Sequence, residues 1–121
     1  MTPNIQALQR LRDKVEAGKV SQWFNWNSGI GSHGPLARQA YNGSLDAAKA
    51  LHEALLPGWA IEHMSWWPGG HWTFHLWGTG YPDHNGVRWH NHTDGRVEAS
   101  DTDPARAWLI AIIRAVMAGE W

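Results

Sequence analysis

Residues 107–118 read AWLIAIIRAVMA, a run in which Arg114 is the only charged side chain. Leu109, Ile112, Ile113 and Val116 recur at helical spacing and form an apolar face, while Ala107, Ala111 and Ala115 let neighbouring backbones come close. Asp103 is positioned to cap the N-terminus, with Pro104 at the first helical position and Gly119 able to close the far end. The run falls short of the roughly 20 apolar residues that a membrane span needs. The spacing therefore predicts a core helix over 103–118 that lies on a sheet.

Working back from that helix, residues 59–99 carry a different period. Trp59 to Trp66 runs into Pro68-Gly69-Gly70, and His71 to Trp77 follows, which is the layout of a hairpin. The loop GTGYPDHNG leads to a third run, Val87 to His92, and Asp94-Gly95 is a strong two-residue turn signal before a fourth run from Arg96 to Ala99. That turn predicts Arg96 to Ala99 beside the third run, with His92 opposite Val97, Asn91 opposite Glu98 and His90 opposite Ala99. Alternation in the second run sets Trp72, Phe74 and Leu76 on one face, a candidate core. His71, Thr73, His75 and Trp77 share the other.

The first half reads as two helices separated by a long connection. Thr2 and Pro3 open residues 1–18, where Ile5, Leu8, Leu11 and Val15 share a face until Gly18. Residues 19–43 lose the periodicity and are read as an aromatic and glycine-rich loop containing Trp23, Phe24, Trp26 and Tyr41. A structureless loop of that length inside a domain is either functional or hides an element. Ser44 caps a second helix over 44–57, with Leu45, Ala48, Leu51 and Leu55 on one face and Pro57-Gly58 at its end. Within it, His52 is expected to be a satisfied structural histidine. The expected fold is a single α+β domain: two N-terminal helices, an antiparallel meander of three to four short strands, and the buried C-terminal helix packed on the sheet.

Composition narrows the function classes. The 121 residues carry ten Lys and Arg against eleven Asp and Glu, a formal net charge of -1, which gives no electrostatic footprint for nucleic acid or an anionic membrane. There is no cysteine, so disulfides, thiolate metal sites and thiol nucleophiles are excluded. The N-terminal stretch MTPNIQALQRLRDK lacks the continuous apolar segment of a secretory signal, and a cytoplasmic location is expected.

Ten tryptophans and eight histidines, most of them between Trp23 and His92, are far above average usage. Large aromatics anchor binding surfaces, so the candidate binding residues are Trp23, Trp26, His71, His75, Trp77, Tyr81, Arg88, His90 and His92. A pocket lined by Trp66, Trp67, Trp77 and Tyr81 is a second possibility. Neutral imidazoles two residues apart on a strand can share one transition-metal ion, which makes His90 and His92 metal candidates with His75, and His71, Asp83 or His84 as further ligands. No nucleophile elbow frames Ser65, Ser100 or Thr73, and Asp101 and Asp103 are explained by helix capping. The glycine loops lack a phosphate-cradling pattern. The tripeptide His90-Asn91-His92 matches the letters of a nuclease motif whose residues are scattered in space, and is no support for that chemistry.

Two segments carry a resemblance. AYNGSLDAAKALHEALLPGW, residues 40–59, and VEASDTDPARAWLIAIIRAV, residues 97–116, resemble the phage ABA-sandwich-like proteins, a family of small phage and prophage proteins. The resemblance covers about a third of the chain. It implies an α/β sandwich encoded in a phage context with no assigned catalytic activity, and it transfers no catalytic residue. The expectation drawn from it is a non-catalytic accessory protein without a cofactor that binds a host or phage protein, acting as a host-directed inhibitor. A small-ligand or nucleotide sponge and a His-ligated metal-dependent hydrolase are the alternatives.

Overall fold

The computed structural model describes residues 5–18, 20, 26, 30–56, 59–77 and 96–118. Among the described residues, four α-helices, α1 (Ile5–Ala17), α2 (Gly34–Tyr41), α3 (Leu45–Leu55) and α4 (Pro104–Ala118), accompany three strands, β1 (Ala60–Trp67), β2 (His71–Trp77) and β3 (Arg96–Asp101). The fold is α+β, with an antiparallel sheet in the order β1-β2-β3 and the C-terminal helix packed on it.

Helix α4 earns its central position from its sequence. It contacts β2 and β3 and also α1, α2 and α3, so Ala107 through Ile113, Ala115 and Val116 are all buried. Only a helix that is apolar around nearly its whole circumference can be packed from several sides. Asp103 caps it as expected, its Oδ1 accepting from the Arg106 amide at 3.0 Å. Arg114, half-buried, donates to the Glu98 carbonyl oxygen at 2.7 Å and pairs with the Glu16 carboxylate at 3.0 Å, joining α4 to β3 and α1. None of the described helices is long and apolar enough to cross a membrane.

The connection 19–43 hides an element. A 3₁₀ turn (Gly31–His33) leads into α2, with a proline in the first helical turn and only Gly34, Ala37 and Ala40 buried. A two-turn helix that buries glycine and alanine carries no large apolar periodicity, which is why the spacing predicts a loop there. Between α2 and α3, Gly43 has φ +105°, a region that side-chain-bearing residues rarely adopt. Ser44 then caps α3, its Oγ accepting from the Ala47 amide at 3.0 Å.

The sheet register follows from the turn at 68–70. Gly70, at φ +90°, donates its amide to the Trp67 carbonyl oxygen at 2.8 Å, and this closes the hairpin with Trp67 opposite His71. Ser65 then faces Thr73 and His63 faces His75, with a shift of register between Ile61 and His63. On the far side β3 pairs directly with β2, setting Ser100 opposite Thr73 and Glu98 opposite His75. The expected neighbour of this strand, Val87 to His92, lies outside the described residues, as do the Asp94-Gly95 turn, the proposed caps at Thr2 and Gly119, and Pro57-Gly58.

Candidate functional site

The strand pairings sort the side chains of the sheet into two faces. Trp72, Phe74 and Leu76 lie with Val97 and Ala99 against α4, and Phe74 stacks on Trp108 of that helix with ring centroids 5.3 Å apart. The opposite, outer face carries rungs from all three strands: Trp67 with His71, Ser65 with Thr73 and Ser100, and His63 with His75 and Glu98. The alternation expected for β2 thus holds, with the polar and histidine-bearing set turned away from the core.

This outer face is cross-linked. The indole Nε1 of Trp67 donates to Thr73 Oγ1 at 3.1 Å, and the Thr73 and Ser100 hydroxyls share a hydrogen bond of 2.7 Å. Trp67 lies nearly parallel to His71, with an interplanar angle of 17° and a centroid distance of 6.1 Å. One rung along, the imidazoles of His63 and His75 stack at 4.1 Å, and His75 Nε2 sits 3.5 Å from Glu98 Oε2. Trp67, His71, Thr73, His75, Glu98 and Ser100, with Arg114 at one end, line an open groove of about 650 Å³, and His63 stacks beside it.

Among the candidate residues from the sequence, His71, His75 and Trp77 fall on the outer face, the first two within the groove. Trp26 is half-buried and folds back on the core, tilted against Tyr41 with centroids 5.4 Å apart. Trp23, Tyr81, Arg88, His90 and His92, together with Asp83 and His84, lie outside the described residues. The suggested pocket shared by Trp66 and Trp67 is not formed, because consecutive strand residues point to opposite faces and Trp66 pairs with Trp72 on the α4 side.

Strand pairing adds three residues that the spacing does not single out: Glu98 and Ser100, which line the groove, and His63, which stacks on His75 beside it. His63 was legible: a three-residue turn after Trp67 puts Ser65 opposite Thr73 and His63 opposite His75 in an antiparallel hairpin. Glu98 and Ser100 were not, since nothing local to residues 96–101 says that they lie against β2.

No group of three or more His, Asp or Glu side chains among the described residues is arranged to hold a metal ion. Nor, among them, is any serine or threonine hydroxyl hydrogen-bonded to a histidine; Thr73 and Ser100 engage each other and Trp67 instead. What the outer face offers is an aromatic plate beside hydrogen-bonding groups of both polarities. No protein-family model matches the chain, and neither a curated protein nor a solved structure does.

Proposed function

We propose that this protein acts by binding rather than by catalysis, and that its partner is another protein engaged along β1. The observation that carries the reading is a concentration of apolar surface on one strand. Five large hydrophobic side chains are exposed among the described residues, and four of them, Ile61, Met64, Trp66 and Trp67, belong to β1. Ile61, Met64 and Trp66 share the face that continues the core, beyond the reach of α4, and Met64 and Trp66 are 53% and 56% exposed. Covering such a stripe recovers about 25 cal/mol for each Å² of apolar surface removed from water.

Within the described sheet β1 is an outer strand. An extended segment of a partner can add beside it through main-chain hydrogen bonds while its side chains dock on Met64 and Trp66. Residues 60–67 contain neither lysine nor proline, two of the devices by which exposed strands avoid being paired. Taken with the resemblance of residues 40–59 and 97–116 to phage proteins, the partner is a host protein met in the cytoplasm, and the consequence of binding is its inhibition.

The experiment is capture from host lysate with the wild type and with a Met64→Ser, Trp66→Ser double variant of unchanged melting temperature. A protein retained by the wild type and lost by the variant is expected. Identical retained sets overturn the reading.

A further inference from the structure

We propose that the groove on the outer face of the sheet is a binding site for a neutral, hydroxyl-bearing ring, a saccharide unit stacked on the indole of Trp67. The site is separate from the stripe on which Met64 and Trp66 sit, because Trp67 faces the other side of β1.

The first argument is preorganisation. Trp67 is 49% exposed, yet its orientation is fixed from beneath, by the hydrogen bond from its Nε1 to Thr73 and by its stacking on His71. A ring plate held in place before the ligand arrives loses little side-chain freedom on binding. Its donor is already satisfied by Thr73, so what it presents to a ligand is a π-face, suited to stacking against the C–H faces of a flat or puckered ring.

The second argument is the polar complement. Glu98 has a 67% exposed side chain whose carboxylate has one polar neighbour among the described residues, His75 Nε2 at 3.5 Å. A carboxylate has about four lone-pair sites, so it can accept from ligand hydroxyls. Ser100, exposed and paired with Thr73, can both donate and accept. Acceptors and donors side by side next to an aromatic plate match a ligand whose rim bears groups that do both, which is the chemistry of a hydroxyl.

The third argument is charge. Arg114 brings a guanidinium to the lining of the groove, but its three nitrogens are committed to the Glu16 carboxylate and the Glu98 carbonyl oxygen. With Glu98 exposed in the groove, an anionic ligand meets repulsion rather than a clamp, which disfavours phosphate-bearing nucleotides. The groove volume, about 650 Å³, is within the range of clefts that hold small molecules.

The test is a titration of the full chain with a panel of neutral mono- and oligosaccharides, with adenosine and adenosine monophosphate as comparators. It is read by the indole N–H signals in a proton–nitrogen correlation spectrum. At least one saccharide is expected to shift the Trp67 indole signal and leave that of Trp108 in place. Trp67→Ala is expected to weaken binding by about tenfold or more, and Glu98→Gln, which preserves shape and removes the charge, by about fivefold. Because the spectrum of the unaltered protein gives its own answer, a variant that fails to fold does not decide the matter. A panel in which no saccharide shifts Trp67, or in which the nucleotide binds and the saccharides do not, overturns the proposal.

Discussion

The indole Nε1 of Trp108 donates to Nδ1 of His52 across 3.1 Å, and the other ring nitrogen of His52 lies 2.9 Å from the carbonyl oxygen of Trp59. Since Nδ1 accepts, the proton of the neutral ring sits on Nε2 and is donated to Trp59. One buried side chain thereby joins α3, α4 and the entry to β1, and it is the satisfied structural histidine that its position beside Leu51 suggests. His52→Ala removes both bonds and leaves the Trp108 N–H without its partner in a buried site. The expected loss is about 2–4 kcal/mol in a urea unfolding curve, and Trp108→Phe, which keeps the ring and deletes the donor, should cost about 1–2 kcal/mol. Nitrogen chemical shifts should report the Nε2–H tautomer.

Arg114 is the one charge in the apolar run 107–118, and its contacts explain its place. Glu16 on α1 and the carbonyl oxygen of Glu98 on β3 share its guanidinium. The pair with Glu16 is part-exposed, so Glu16→Gln should cost no more than about 1 kcal/mol. Arg114→Met should cost about 1–2 kcal/mol, because it also removes a charge-assisted bond to a backbone carbonyl. A double-mutant cycle read by thermal unfolding separates the two contributions; equal losses for both single variants would deny the Glu98 bond any role.

Gly70 sits at φ +90° with nothing within 4 Å of the position a Cβ would take. Any cost of Gly70→Ala is therefore backbone strain rather than crowding, and about 1–2 kcal/mol is expected. The same turn sets the register that stacks His63 on His75. If strain shifts the turn, the Trp67 indole signal should move with the loss of stability.

Met64 and Trp66 stand in water on β1, so they contribute little to the folded state. Trp66→Ser should change stability by no more than about 0.5 kcal/mol while abolishing capture of the partner. A large drop in melting temperature would mean that Trp66 is covered within the folded chain.

Part of this molecule is legible in the residues alone. The period of 103–118, the caps Ser44 and Asp103, and the alternation of 71–77 each depend on contacts within a few residues, and each element forms where local physics puts it. Helix α2 escapes this reading because its buried residues are glycine and alanine, small enough that no periodic apolar signal marks them.

The amino-acid order by itself determined that an almost uncharged C-terminal helix must be enclosed, and that β2 turns its histidines away from its core side chains. Only the tertiary structure decided which strands supply the rest of the outer face. Pairing of β2 with β3 brings Glu98 and Ser100 beside His75 and Thr73, residues more than twenty positions apart. It also leaves β1 outside the shelter of α4. Strand neighbours of that separation are chosen by how the whole sheet buries its apolar face, a free energy that no local stretch of chain contains.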